Sequence, residues 1–205
     1  QPDEQSARVA EITCASQGVH VLETRADGWA KVECYSSSFH GSKVKAWNAL
    51  REGYLRAELL IEKEVKTTYG LVADKLTQRL YVFKDGAYLD ALAISTGKPN
   101  RDQPYNETRS GEFLFVSRVG GFPSGELSCA MGIRFNHGDL LHEVPHILRE
   151  NGEKYYGSRE EHLGERASHG CIRVQRKLTP NGMNMEWLWD ALSGQMGTRL
   201  AVWED

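Results

Sequence analysis

Ala167-Ser168-His169-Gly170-Cys171-Ile172-Arg173-Val174 is the stretch on which the reading of this chain turns. It sets a cysteine directly behind a glycine and two residues after a histidine. It then runs into Ile172-Arg173-Val174, which alternates as a strand does. A nucleophilic thiol needs a base or cation that favours thiolate, a path for substrate, and backbone donors for an oxyanion. Gly170 removes a side chain where substrate has to approach the backbone. Cys14, Cys34 and Cys129 lack such surroundings and read as small buried hydrophobes.

The string Ser168 to Arg173 resembles the active-site motif of the L,D-transpeptidases, the YkuD-type cysteine enzymes that cross-link peptidoglycan. Other stretches resemble landmarks of that domain in the same order. They are Ser95-Thr96-Gly97, Ser110-Gly111-Glu112-Phe113, Met131-Gly132-Ile133-Arg134-Phe135-Asn136, Leu140-Leu141-His142-Glu143, and Leu163-Gly164 just ahead of Ser168. Where the family usually carries Thr-Pro, Thr108-Arg109 stands here, which changes the rim but removes no group the chemistry needs. The resemblance covers about residues 66 to 205. It implies a mainly β fold, with a β-sandwich-like catalytic domain of few helices over 65–205.

The strand patterns agree. Tyr69 to Asp74, Arg79 to Phe83 and Ala87 to Thr96 alternate, and Asp85-Gly86 between the last two is a hairpin signal. This is antiparallel β-structure, not a βαβ repeat. Asn184 reads as the N-cap of a helix from Met185 to Leu192 that stops at Gly194. Trp187 and Trp189 read as packing residues there, and Thr198 to Trp203 as a last strand. Ahead of residue 65, Arg8 to Cys14 and Gly28 to Cys34 alternate, and Gly53 to Leu60 closes the segment. Gly-Trp-Ala-Lys-Val followed by Gly-Tyr-Leu-Arg resembles a bacterial SH3-like small barrel, so 1–64 is expected to be a separate domain. Trp29, Trp47 and Tyr54 either line a groove there or fill its core. Cys14 and Cys34 form either a disulfide or two buried thiols.

Composition narrows the partners. The 205 residues are 40% hydrophobic and 26% charged, with a net charge of -3 and no basic block, which argues against nucleic acid. No run approaches the ~18 apolar residues of a membrane span. The start, Gln1-Pro2-Asp3-Glu4, lacks the regions of a signal peptide. The resemblance implies an extracytoplasmic, secreted or wall-associated protein, its leader or anchor absent from the sequence. The cysteine gaps of 20, 95 and 42 contain no C-x-x-C pair, so neither a zinc site nor another cofactor is expected.

Two histidines compete to activate Cys171. His169 on the same strand would sit roughly 6–7 Å away along it, too far for a direct hydrogen bond. His142, 29 residues upstream, comes within reach if an adjacent strand carries it. In the family the upstream histidine is the base, so His142 is assigned as general base and acid, and His169 as an orienting group. The resemblance implies a thioester on Cys171, formed by attack on a tetrapeptide stem with loss of its terminal D-alanine. An amine of a neighbouring stem resolves it in transfer; water does so in a carboxypeptidase. The backbone around Gly170 and Cys171 would hold the oxyanion, with Ser168 beside it, and carbapenems are expected to acylate the thiol. Arg173 alternates with Cys171, and either binds a substrate carboxylate or braces the loop. His40, His137, His146 and His162 read as surface histidines.

Between His142 and Ser168 lie 25 residues, more than the family's usual spacing. Glu150 to Lys154 reads as a turn and Arg159 to His162 as a helical turn. Both ends are fixed at the site, so the insertion is expected to act as a lid, with Tyr155 and Tyr156 toward the stem peptide. The plainer reading is cover for a sheet edge. Papain-like and caspase-like enzymes fit poorly, because the former place cysteine before histidine and the latter's signature is missing. A lapsed, wall-binding protein would have lost Cys171 or His142, and both are present. A metal site built from His137, His142 and His169 is the remaining alternative.

Overall fold

In the computed structural model, a three-stranded sheet precedes a nine-stranded one. The structure describes residues 2–12, 14–36, 42, 44, 46 and 48–204. The first sheet holds β1 (His20–Thr24), β2 (Trp29–Ser36) and β3 (Ala49–Arg56), all antiparallel with β2 central. Strand β2 alternates as its sequence predicts, burying Ala30, Val32, Cys34 and Ser36. Arg8 to Ile12, the described part of the expected first strand, joins no ladder; the Glu11 N–H instead donates to Ser36 Oγ at 2.9 Å. What the described residues show of the expected small barrel is this sheet. Trp47 and His40 lie outside the described residues. Trp29 carries the Arg56 guanidinium at 4.5 Å, and Tyr54 is exposed.

Residues 14–18, ahead of the first sheet, run along the second. Gly18 N–H donates to the Glu112 carbonyl at 2.7 Å, Leu114 N–H to that of Ser16 at 2.9 Å, and Ser16 Oγ to that of Phe135 at 2.7 Å. Cys14 therefore packs against the large core while Cys34 sits in the small one, and both are free thiols. Of the two states open to them, the structure shows the unbridged one.

The large sheet begins with β4 (Lys66–Asp74), β5 (Arg79–Lys84) and β6 (Ala87–Ser95). Asp85 and Gly86 both take positive φ (49° and 80°), the twist that a two-residue hairpin turn requires. Then come β7 (Gly111–Leu114), β8 (Ser117–Ser124), β9 (Leu127–Arg134) and β10 (Leu140–Glu143). A small hairpin, β11 (Ile147–Leu148) and β12 (Lys154–Tyr155), stands apart from the sheet. Last are β13 (Ile172–Val174), α1 (Met185–Ala191) and β14 (Thr198–Trp203). Strand order is β7-β14-β4-β5-β6-β13-β10-β9-β8.

This sheet curls upon itself. Phe113 on β7 and Phe135 just beyond β9 belong to opposite ends of the strand order, yet their rings meet edge-on at 5.5 Å. The enclosed core includes Leu80, Ile94, Ile133, Leu141, Ile172 and Leu200. Helix α1 closes it, with Asn184 Oδ1 accepting the Trp187 N–H at 2.9 Å as a cap, and Met185 and Leu188 buried. Trp187 meets Tyr69 edge-on and Trp189 lies under Arg118. Two pairs are parallel, β4 with β14 and β10 with β13, which period-two alternation in the sequence cannot reveal.

Candidate active site

Strand β10 carries His142, and Cys171 immediately precedes β13, the parallel neighbour of β10. Their parallel register sets Leu141 beside Ile172, both in the core, and His142 beside Arg173. Cys171 stands in the bend directly ahead of β13, two residues before Arg173. Its Sγ accepts the Leu140 N–H at 3.4 Å. Burial is the main cause that pushes the thiol up to about 11; the Asp139 carboxylate adds to this, while the Leu140 N–H and Arg173 oppose it. Cys171 at neutral pH is therefore a thiol that needs a base.

His142 has a ring nitrogen free to accept a proton. A carbonyl oxygen can only accept, so the 2.6 Å contact of Nδ1 with the Glu143 carbonyl places the proton on Nδ1 and leaves Nε2 as an acceptor. Phe122 stands perpendicular to the imidazole at 5.2 Å. The ring is 3% exposed, and burial holds its pKa down at about 4; the Glu143 carbonyl works upward against this and Arg173 works downward. His169 is placed otherwise: its side chain is exposed and no hydrogen bond reaches it among the described residues. The contact that holds the His142 ring is with the Glu143 carbonyl, not with His169.

The turn before the cysteine is held from inside. Ser168 is buried, its Oγ donating to the Cys171 carbonyl at 2.5 Å and accepting the Gly170 N–H at 3.2 Å, so it builds the turn and does not line a pocket. Gly170 has φ 126°, and a Cβ there would stand 2.5 Å from Asp139 Oδ1. Asp139 is paired with Arg109 Nη1 at 3.2 Å and accepts Asn136 Nδ2 at 3.1 Å. Arg109 thus fills the place of the family's usual proline with a charge beside the site. Arg173 is half-buried, and burial lowers its pKa. Among the described residues its guanidinium has no hydrogen-bond or ion-pair partner, so bracing of the loop is not seen.

The insertion after β10 is pinned down. His146, expected at the surface, is buried because its backbone pairs with Ser128 (2.8 and 2.9 Å) and its ring lies tilted against Tyr156 at 5.4 Å. His137 and His162 are exposed as expected. Residues 149–153 turn between β11 and β12, and a 3-10 helix covers Gly157–His162. Tyr155 is exposed beneath Arg149. Tyr156 OH donates to Glu143 Oε1 at 2.8 Å, Lys154 Nζ reaches the same oxygen at 3.3 Å, and Arg176 covers the Tyr156 ring at 4.5 Å. Glu143 therefore orients His142 through its carbonyl and anchors the insertion through its carboxylate. A hydrogen bond to a buried carboxylate is worth about 1.5–3 kcal/mol. Tyr156→Phe is expected to speed tryptic cleavage after Arg149 or Lys154 roughly tenfold, since local opening sets that rate. An unchanged rate would show that this contact does not hold the insertion.

Sequence reasoning missed the charged residues beneath this site. Lys75 is fully buried, and its Nζ donates to Glu107 Oε1 (2.7 Å), Glu204 Oε2 (2.6 Å) and the Thr108 carbonyl (2.9 Å). Arg166 spans the same two carboxylates at 3.6 and 2.5 Å. Nothing in the local sequence marks Lys75, which follows Asp74 in a polar turn and reads as solvated. His137, His142 and His169 make no cluster; among the described residues no three His, Cys, Asp or Glu side chains are grouped to hold a metal ion. No helix among them is long and apolar enough to cross a membrane.

The L,D-transpeptidase catalytic domain (YkuD) model matches residues 68–202. No curated protein matches. Similar solved structures include the L,D-transpeptidase of Xylanimonas cellulosilytica (21% identity, TM-score 0.46, 69% of this chain and 63% of that one). Others are L,D-transpeptidase 3 of Mycobacterium tuberculosis (16%, 0.49, 92% and 79%) and the L,D-transpeptidase of Mycobacterium smegmatis (18%, 0.47, 96% and 81%). This chain thus spans less than two thirds of the Xylanimonas protein's length. With the family model running from Thr68 within β4 to Val202 within β14, the chain belongs to the L,D-transpeptidase catalytic-domain family.

Proposed function

We propose that the protein cross-links peptidoglycan stem peptides through a thioester on Cys171, with His142 as general base and acid. The observation that carries this reading is the parallel pairing of β10 with β13, which sets His142 beside Arg173 two residues after Cys171, while the Glu143 carbonyl accepts the proton of His142 Nδ1. His142 Nε2 takes the thiol proton as Sγ attacks the donor carbonyl carbon. The C–N bond to the terminal D-alanine then breaks, and His142 returns that proton to the leaving amine. An amine of a second stem attacks the thioester, gives its proton to His142, and frees the thiol. The unpaired guanidinium of Arg173, beside His142, is offered to a substrate carboxylate. The insertion, tied to Glu143, acts as a lid over this site, with Tyr155 the side chain that meets the stem. The three-stranded sheet of β1 to β3 acts as an SH3-like unit on an extracytoplasmic, wall-associated enzyme.

Incubation with tetrapeptide muropeptides and mass analysis tests this directly. Cross-linked dimers that have lost D-alanine are expected from the wild type and none from Cys171→Ala. Tripeptides without dimers would mean hydrolysis, and no product would remove the reading. A carbapenem is expected to add its mass to the peptide containing Cys171. An adduct on Cys129 instead would reject that assignment.

A further inference from the structure

Acyl transfer raises negative charge on the carbonyl oxygen under attack, and a donor aimed at that oxygen is often the largest single catalytic contribution. The Cys171 N–H is available for this: it makes no hydrogen bond among the described residues. Its direction is set by the peptide plane it shares with the Gly170 carbonyl. In a trans peptide the C=O and N–H point opposite ways, and no cis bond occurs among the described residues. Whatever holds the Gly170 oxygen therefore aims the Cys171 N–H.

Thr108 holds that oxygen. Its Oγ1 donates to the Gly170 carbonyl at 2.7 Å and accepts the Gly97 N–H, also at 2.7 Å. A hydroxyl has one proton, and the incoming Gly97 donor commits it to Gly170. Thr108 is fully buried, so water does not compete. Gly97 fits only as glycine, since a Cβ there would stand 1.9 Å from the Asn106 carbonyl oxygen. The Thr108 backbone is fixed in turn by buried Lys75, whose Nζ holds its carbonyl at 2.9 Å. Arg166, bridging the carboxylates that hold Lys75, stands two residues before Ser168 and ties the other side of the turn to the same cluster.

We propose that Thr108 is the positioning residue of the oxyanion site, its hydroxyl fixing the Gly170–Cys171 peptide so that the Cys171 N–H meets the developing oxyanion. The inference rests on the acyl-transfer reading above. Thr108→Val keeps the side-chain shape but loses the hydroxyl, so the peptide is free to rotate; Thr108→Ser keeps the hydroxyl.

Two reactions of the same thiol separate positioning from general damage. Opening of a carbapenem ring by Cys171 passes through an oxyanion, whereas alkylation by iodoacetamide does not. Thr108→Val is expected to slow carbapenem acylation by about 10- to 10²-fold, against the 10²–10³ known for losing an oxyanion donor outright. Alkylation of Cys171, read by peptide mass, should stay within about twofold of wild type, and Thr108→Ser should acylate near the wild-type rate. Thr108→Ala is measured beside it, in case Val does not fold with the Gly97 N–H buried and unpaired. Acylation slowed less than about fivefold in the folded variant overturns the inference, as does an equal loss in both reactions. A wild type that alkylates but never acylates would overturn the acyl-transfer reading itself, and this inference with it.

Discussion

His142→Ala is expected to slow acylation of Cys171 by at least about 10²-fold, the usual worth of a general base. With the thiol pushed up to about 11 and the imidazole held at about 4, the two meet at neutral pH as uncharged partners, not as a preformed ion pair. The thiol then loses its proton during attack, and removing the acceptor removes that route. His169→Ala should lose far less, because the His169 side chain is exposed and unpartnered among the described residues. Equal losses in the two variants would return the role to His169.

The same pair fixes the pH profile. Burial depresses the His142 pKa, so the ring stays neutral, and able to accept a proton, down to about 4. Acylation by a carbapenem should hold level from neutral pH down and fall only as pH passes through about 4. At the alkaline end it should rise as the thiol itself ionises near 11. A loss centred near 6.5, where an unperturbed imidazole titrates, would contradict the buried, neutral base.

How much of this was legible in the sequence depends on the kind of interaction. The 167–174 stretch announced the nucleophile because its chemistry is local: glycine, cysteine and strand alternation lie within a few residues. The turn at Asp85-Gly86 and the Asn184 cap were legible for the same reason. Parallel pairing was not, because alternation tells which face a residue takes and never which strand lies beside it. His142 therefore needed the family resemblance, and the β10–β13 register then supplied the physical reason. His146 looked like a surface residue because its burial comes from pairing with distant Ser128. Glu143 passed unremarked because its two duties are met by one backbone and two side-chain contacts, none of which leaves a pattern. Lys75 was the furthest from view, since its partners come from residues 107, 108 and 204.

Lys75→Met is expected to destabilise the fold by about 3–5 kcal/mol, the cost of stripping one member from a buried ion cluster. Lys75 and Arg166 balance Glu107 and Glu204, so the cluster is neutral as built. Burial works to raise the Glu204 carboxyl, but bonds from Lys75 and Arg166 outweigh it and keep the group ionised. Methionine fills the space of the lysine stem and isolates the effect of the charge. It leaves Glu107, 7% exposed, with only the more distant Arg166 contact, and the Thr108 carbonyl without its donor. The replacement of a whole buried cluster by neutral groups costs much less than the loss of one partner. Lys75→Met combined with Glu107→Gln and Glu204→Gln should therefore recover more than half of the loss, leaving Arg166 to solvent. Urea unfolding of the single and triple variants measures both. A single-variant cost under about 1 kcal/mol would mean the cluster is no more than a surface ion pair in effect. No recovery in the triple variant would mean that packing around the lysine stem, and not its charge, holds these segments together.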